Sequence, residues 1–129
     1  MLVLDASVWL AALDTSDASH VAAREIVAQR SRPLLALDLS FYEVASVASR
    51  WPSPHLASVA DRLIDAAAAE IIRVDVALAT QARELARSSA LTAYDAAYVC
   101  VARTRGVTLV SLDVRDLVRP GYAVLPGDS

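Results

Sequence analysis

The sequence predicts an α/β domain with a largely parallel sheet and helices on both faces. Four short runs are typical of strands, and three of them are mostly apolar on both faces, as in strands buried in a parallel sheet. Segments with helical patterns fill the spaces between these runs, and such alternation favours parallel strands joined by helices. With 129 residues, 56% of them hydrophobic, the chain is predicted to be one domain, residues 1–129, with a substantial core.

The predicted strands share one feature, because each of them ends in an aspartate. These runs are "LVLD" to Asp5, "LALD" to Asp38, "IRVD" to Asp75 and "VSLD" to Asp113. A further short strand is predicted at Tyr122–Leu125. The expected sheet therefore has four to five strands.

Helices are predicted in pairs after each of the first three strands. Pro52 and Pro54 separate the two helices of the second pair, and Gly106 is typical of the residue that ends the last helix. In chain order the segments are "ASVWLAALD", "ASHVAAREIVAQRS", "SFYEVASVASRW", "HLASVADRLIDAAAA", "VALATQARELARSS" and "LTAYDAAYVCVART".

Composition excludes several classes of function. A net charge of −3 argues against a strongly basic nucleic-acid clamp. The chain contains no Lys, which receiver domains and P-loop enzymes require, and no G-x-S-x-G elbow of an acyl hydrolase. The lone Cys100 cannot form an internal disulfide and is predicted to be a core residue. No apolar run approaches the ~20 residues of a membrane span, and no signal peptide is evident, so we expect a cytoplasmic protein without membrane contact.

Four carboxylates are expected at one edge of the sheet, beyond the carboxyl ends of the strands, where ligands bind in open parallel sheets. Asp5 and Asp113 end predicted strands. Glu43 is predicted in the first turn of the helix after the second strand, and Asp95 in the first turn of the helix before the last main strand.

Each of these acids also has a structural explanation. Thr92 to Asp95 and Ser40 to Glu43 both match the capping box, in which the acid bonds back to the backbone of the cap residue. An acid in the first turn also complements the helix dipole by ~0.3–1 kcal/mol. The two strand-end aspartates could simply begin turns.

The other candidate residues are weaker. Asp38 and Asp75 are predicted to cap the helices that follow them, and Asp116 could belong to the acidic site or be a solvated first-turn acid. His20 and His55 have no ligand partners at metal-binding spacing and are interpreted as surface residues.

A cluster of four acids favours a bound cation. Two carboxylates 4 Å apart repel by ~4 kcal/mol at an effective dielectric constant near 20. Such a group is stable only with a cation among its members or with several of them protonated. Ligand sets made only of oxygen suit Mg²⁺ or Mn²⁺ better than zinc.

Four segments resemble, in order and spacing, the PIN-domain nucleases and most of all the VapC-type toxins of bacterial toxin–antitoxin pairs. The resemblance extends from Met1 to about Leu125, and the ordered set is far more specific than any single motif. The segments are "VLDASVWLAALD", "YEVASVASR", "LTAYDAAYVCVARTRG" and "TLVSLDVRDL".

The resemblance implies an α/β/α sandwich whose first strand is central, with Asp5 and Asp113 on neighbouring strands. Ser46 stands where the family often has Asn, which leaves the acidic set intact. The family's acidic positions and the hydroxyls beside them fall on Asp5, Ser7, Glu43, Asp95, Ser111 and Asp113.

The activity implied by the resemblance is Mg²⁺- or Mn²⁺-dependent cleavage of RNA by activated water. Asp5, Asp95 and Asp113 would be metal ligands, and Glu43 a ligand or a base that orients the water. Ser7 and Ser111 would hydrogen-bond the carboxylates or the scissile phosphate. Arginines at the rim would help to bind RNA, with Arg115 favoured by position and Arg50 as a second choice, although both could be ordinary surface residues.

The resemblance also implies protein partners, namely a cognate VapB-like antitoxin and a second copy in a homodimer. Antitoxins of this kind commonly lay a helix in an apolar groove. The first-helix face with Trp9, Leu10 and Leu13 is a candidate for that groove, and core packing explains the same residues equally well.

Two other functions stay open at this stage. One is a housekeeping PIN nuclease in RNA maturation or decay, with the same chemistry. The other is a non-catalytic PIN-like module that binds RNA or protein, which would show no metal-dependent cleavage. The intact set of acids argues against the second.

Overall fold

The computed structural model describes residues 1–129, and its centre is a sheet of four parallel strands in the order β3-β2-β1-β4. The first strand is therefore internal and neighbours β4, as the family resemblance implies. The strands are β1 (Leu2–Leu4), β2 (Leu34–Leu37), β3 (Glu70–Ile72) and β4 (Thr108–Val110).

Six α-helices connect and follow the strands, which confirms the predicted pairs of helices. A π-helical segment (Val114–Val118) follows β4, and a short 3-10 turn (Pro126–Asp128) ends the chain. The helices are α1 (Ala6–Ala11), α2 (His20–Ala28), α3 (Leu39–Ala48), α4 (Pro54–Ala67), α5 (Val76–Arg87) and α6 (Ala93–Arg105).

The core lies in two layers, one on each face of the sheet. Successive strand residues point to opposite faces, so Leu2 and Leu4 pack with α1, α2 and α4, whereas Val3 packs with α5 and α6. This arrangement is the predicted α/β/α sandwich. Trp9 is fully buried in the first layer, so core packing, the second of the two explanations that the sequence left open, accounts for it.

The two later strands end earlier than predicted. The pairing of Leu35–Leu37 with Glu70–Ile72 ends β3 three residues before Asp75. The pairing of β1 with Thr108–Val110 likewise ends β4 before Asp113. The predicted strand at Tyr122–Leu125 is reduced to one bridge between Val110 and Val124.

The helix ends confirm some of the predicted caps. Asp75 accepts a hydrogen bond from Leu78 N at 2.9 Å and caps α5. Thr92 Oγ1 accepts from Asp95 N at 3.1 Å and caps α6. Gly106 ends α6 in the left-handed conformation, with φ 64°, which glycine adopts without the steric cost of a Cβ.

Other predicted caps were wrong. Asp38 makes no cap bond and instead accepts from Val74 N at 3.1 Å, which ties the end of β2 to the chain after β3. Because α3 begins at Leu39, Ser40 lies inside the helix, fully buried, and cannot form a capping box with Glu43.

The two histidines differ in burial, and Cys100 lies at the margin of the core. His55 is exposed, whereas His20 is half-buried with Nδ1 2.8 Å from Ala11 O, so the prediction of a surface residue holds only for His55. Cys100 is partly buried and packs against the second core layer. No helix of the protein has the length and apolar character needed to cross a membrane.

Replacing Thr92 by Ala should destabilise the protein by about 1 kcal/mol, because the first turn of α6 loses its side-chain acceptor. Urea unfolding measures the change. Thr104→Ala is the matched control, since Thr104 is exposed in the last turn of the same helix. Equal free energies of unfolding for the two variants would contradict a stabilising cap at Thr92.

Candidate metal centre

The candidate site lies where β1 and β4 end side by side. The register pairs Leu4 with Val110, and Asp5 N donates a hydrogen bond to Val110 O at 3.2 Å. Asp5 and Ser111 therefore follow the two strands at the same edge of the sheet. This is the edge at which parallel sheets bind ligands.

Asp5 is held by two serine hydroxyls and one backbone amide. Ser7 N donates to Asp5 Oδ1 at 3.1 Å, which makes Asp5 the cap of α1, and Ser7 Oγ bonds to the same oxygen. Ser111 Oγ donates to Asp5 Oδ2 at 2.5 Å. The Ser7 hydroxyl in turn accepts a hydrogen bond from Leu112 N at 2.9 Å. The Ser111 hydroxyl accepts one from Asp113 N at 3.0 Å. Asp5 is thus fixed rigidly, and the loop after β4 is tied to it.

Burial raises the pKa of Asp5 to about 6 from its ordinary 3.8. The hydrogen bonds from Ser111 and Ser7 work in the opposite direction, and the negative charges of Asp95 and Glu43 raise the pKa further. These interactions place Asp5, Asp95 and Glu43 within electrostatic reach of one another. A buried carboxylate among like charges is the setting in which a cation would be stabilising.

Asp95, Asp113 and Asp116 form a carboxylate cluster at this edge. Each can offer an oxygen so that all three oxygens lie within 4.8 Å of one another. Asp113 Oδ1 accepts from Asp116 N at 3.0 Å, so Asp113 caps the π-helical segment as well as contributing to the cluster. Asp116, left open by the sequence, therefore lies beside the other two acids.

Burial raises the pKa of Asp95, and the charges of Asp113 and Asp116 raise it further. The middle of helix α6 is buried, from Ala96 to Ala102, whereas Asp95 in its first turn is half-buried. Capping and clustering are thus compatible, because the backbone of Asp95 bonds to Thr92 while its carboxylate joins the cluster.

Glu43 reaches the site from α3 and is held by a residue that sequence reasoning missed. It is the fifth residue of α3, so its predicted place in the first turn was wrong. Tyr98 donates its hydroxyl hydrogen to Glu43 Oε1 at 2.5 Å. Burial raises the pKa of Glu43, the Tyr98 hydrogen bond lowers it, and the charge of Asp95 raises it again. Tyr98 lies three residues after Asp95, hence on the same face of α6, and that spacing was the available signal.

Arg115 lies beside the cluster and forms an ion pair with one of its members, Asp116. Its Nε lies 3.0 Å from Asp116 Oδ1, and its second guanidinium nitrogen bonds to Oδ2 at 3.2 Å. The pair holds the pKa of Asp116 below its ordinary value. Arg50, the second candidate, is exposed just after α3.

A groove of about 590 Å³ opens next to the acids. Ser7 and Glu43 line it on the side of the site, and the exposed side chains of Tyr42 and Tyr94 line it further out. Ser46, at the family's frequent Asn position, also borders this groove. An extended ligand could therefore lie along α3 and reach the carboxylates.

The donor set fits a hard divalent cation. Three carboxylate oxygens within 4.8 Å of one another repel, although Arg115 offsets part of the charge of Asp116. A cation between them replaces this repulsion with attraction, and oxygen-only ligands favour Mg²⁺ or Mn²⁺. Asp95, Asp113 and Asp116 could hold such an ion, with Asp5 and Glu43 close by.

The metal-free protein should lose stability as pH rises from 5 to 7.5. A folded-state pKa above the ordinary value means that the folded state binds the proton more tightly, so the stabilisation present below pH 3.8 is lost as pH rises through about 6. Asp5 alone should lower the free energy of unfolding by about 1 kcal/mol over this interval, and Glu43 and Asp95 act in the same direction. Urea unfolding in EDTA at both pH values measures the effect. A free energy of unfolding that increases over the interval would contradict the electrostatics described here.

Comparison with known proteins agrees with this geometry. The family model described as "PIN domain" matches residues 2–120. No curated protein matches the chain in sequence at a significant level.

Solved structures with the same fold cover nearly the whole chain. The Mycobacterium tuberculosis toxin VapC20, described as cleaving the sarcin–ricin loop, is 21% identical with a TM-score of 0.79 over 94% of this chain and 95% of its own. VapBC2 from Rickettsia felis, bound to a DNA fragment from its promoter, is 15% identical with a TM-score of 0.70 over 96% of both chains. PAE2754 from Pyrobaculum aerophilum is 21% identical with a TM-score of 0.69 over 98% of this chain and 84% of its own.

PIN domains are nucleases, and the carboxylate cluster lies at the edge of the sheet where such chemistry is expected. Because the family model extends over almost the full length, the chain belongs to the PIN-domain family.

Proposed function

We propose that this protein is a Mg²⁺- or Mn²⁺-dependent endoribonuclease that acts as the toxin of a toxin–antitoxin pair. The observation that carries the proposal is the carboxylate cluster of Asp95, Asp113 and Asp116, whose oxygens come within 4.8 Å of one another in a PIN domain. Asp5 and Glu43 interact electrostatically with Asp95 beside it. Hydrolysis of a phosphodiester is the chemistry that such a site supports best.

In the proposed mechanism, Asp95 and Asp113 would hold the ion, Asp116 would contribute a third carboxylate, and Asp5 would be a further ligand, direct or through water. The ion, when bound, supplies positive charge to the attacked phosphate and makes water more acidic. Ser7 and Ser111 keep Asp5 in one orientation through their hydrogen bonds.

Glu43 has the role of proton acceptor or ligand in this proposal. Its Oε1 is occupied by Tyr98, which leaves Oε2 to orient the attacking water and take its proton. The water oxygen bonds to phosphorus and the bond to the 3′ oxygen breaks, which leaves a 5′-phosphate and, once the 3′ oxygen is protonated, a 3′-hydroxyl. Arg115 would turn from Asp116 to the phosphate when the ion takes over the charge of Asp116.

The choice of RNA and of an antitoxin partner is supported by the structural neighbours. VapC20 is described as a toxin that cleaves the sarcin–ricin loop, and another neighbour is described as a toxin–antitoxin complex from Klebsiella pneumoniae. A groove of about 340 Å³ between α2 and α4, with Leu13, Val27 and Leu63 in its wall, is the proposed seat of a VapB-like helix.

Cleavage of a 5′-labelled RNA by the purified protein tests the nuclease proposal. We expect fragments with 5′-phosphate ends in Mg²⁺ or Mn²⁺ and intact RNA in EDTA. Cleavage that persists in EDTA, or binding without cleavage in any divalent ion, would contradict a metal-dependent nuclease.

Induced expression in bacterial cells tests the toxin proposal separately. Growth should stop on induction and resume when an open reading frame adjacent to the gene is co-expressed. Unimpaired growth, combined with cleavage in vitro, would instead favour a housekeeping role in RNA processing.

A further inference from the structure

We propose that Tyr98 is a positioning residue that fixes the orientation of Glu43, an inference that rests on the proposed nuclease function. The Tyr98 hydroxyl lies between two polar groups of α3, 2.7 Å from Ser40 Oγ and 2.5 Å from Glu43 Oε1. Helices α3 and α6 each carry an acid of the site, and this hydroxyl joins them.

The direction of both hydrogen bonds follows from the chemistry of the groups. An ionised carboxylate can only accept, so the single hydrogen of Tyr98 is donated to Glu43. Ser40 must then donate its own hydrogen to the Tyr98 oxygen. The result is a directed chain from Ser40 through Tyr98 to Glu43, ending in a charge-assisted bond.

The chain is anchored where the side chains cannot move freely. Ser40 is fully buried and Tyr98 is only 1% exposed, with its ring in the core layer that packs against α5 and α6. Glu43 itself is only partly buried and would sample several rotamers without this bond. Because Asp95 lies one turn before Tyr98 on α6, the bond also sets Glu43 relative to the carboxylate cluster.

Packing alone does not account for the Tyr98 hydroxyl. The ring fills the core, but Ser40 alone would satisfy a buried hydroxyl. The hydrogen bond from Tyr98 to Glu43 uses one of the two carboxylate oxygens, so a single oxygen of Glu43 remains for an ion or a water. A Tyr98→Phe variant keeps the ring and removes the hydroxyl, and with it both the restraint on Glu43 and the partner of Ser40.

The test compares Tyr98→Phe with the parent in three measurements: RNA cleavage, Mn²⁺ affinity by calorimetry and thermal stability. We expect kcat to fall about 10- to 100-fold and Mn²⁺ to bind more weakly, since loss of the group that orients a metal-site carboxylate has effects of that size. The KM for RNA should change little. Tyr122→Phe, which removes a hydroxyl from a ring packed under Arg103, should behave as the parent.

A double-mutant cycle separates positioning from a merely structural role. If Tyr98 acts through Glu43, Tyr98→Phe should have no further effect on kcat or Mn²⁺ affinity in a Glu43→Ala background. The same fold-loss in both backgrounds, or parental kcat and Mn²⁺ affinity in Tyr98→Phe alone, would overturn the proposal. Parental cleavage by Glu43→Ala would overturn the catalytic role of Glu43 as well, so the two failures are distinguishable.

Ser40→Ala keeps the proposal testable if Tyr98→Phe does not fold. It removes the anchor but leaves the Tyr98–Glu43 bond possible, so kcat should fall in the same direction by a smaller factor. An unchanged kcat and an unchanged Mn²⁺ affinity in this folded variant would count against the directed chain.

Discussion

Replacement of Asp95 by Asn should abolish detectable RNA cleavage while leaving the fold intact. The substitution removes a charged ligand from the carboxylate cluster but keeps the backbone N–H that Thr92 caps. Because loss of an outer-shell partner alone costs about 10- to 100-fold, loss of a direct ligand should exceed 100-fold. Stability in EDTA should not decrease, since the raised pKa of Asp95 shows that its charge is unfavourable in the metal-free site.

Cleavage and Mn²⁺ binding, measured on the same preparation, check the Asp95 variant. Asp61→Asn is the matched control, because Asp61 is an exposed carboxylate of α4 outside the cluster. The control should cleave RNA as the parent does. If Asp95→Asn cleaves at the parental rate, the assignment of Asp95 to the metal centre is wrong.

Replacement of Asp5 by Asn should increase the stability of the metal-free protein and decrease the cleavage of RNA. Asn resembles the protonated acid, which the folded protein favours, since the pKa of Asp5 is raised to about 6. In EDTA at pH 7.5 the variant should be more stable than the parent by up to about 3 kcal/mol, the free energy equivalent to that change in pKa. Cleavage should nevertheless fall by more than about 100-fold, because Asn cannot supply the charge that the ion requires.

Urea unfolding at pH 5 and 7.5 tests this second substitution. The parent should lose stability across the interval, and Asp5→Asn should lose clearly less. A variant that is less stable than the parent at pH 7.5, with the same dependence on pH, would show that the charge of Asp5 is not the destabilising group.

The fold could be predicted from the sequence where burial is complete. Strands β1 and β2 are buried along their whole length, so their apolar runs predict both the elements and their ends at Leu4 and Leu37. The ends of β3 and β4 could not be predicted in this way. Pairing with β2 and β1 determines them, and an apolar residue (Val74 or Leu112) still precedes each aspartate after the chain has left the sheet.

The site could be predicted only in outline. Parallel topology brings Asp5 and Asp113 to one edge, and the direction of α6, which leads into β4, brings Asp95 to the same edge. Whether Asp116 belongs to the site depends on the turn after β4, because the π-helical segment brings this residue back toward Asp113. Only its spacing from Asp95 on α6 pointed to Tyr98, because a hydrogen bond to a residue 55 positions away leaves no further pattern in the sequence.

The central claim is that the carboxylates hold a divalent ion on which RNA cleavage depends. The most direct test records the cleavage rate over a series of Mn²⁺ concentrations and the Mn²⁺ occupancy of the same sample by calorimetry. The account predicts that the rate is zero in EDTA and rises in parallel with occupancy of a site that Asp95→Asn abolishes. Cleavage that is independent of Mn²⁺, or that rises over a range in which the cluster binds no ion, would contradict it.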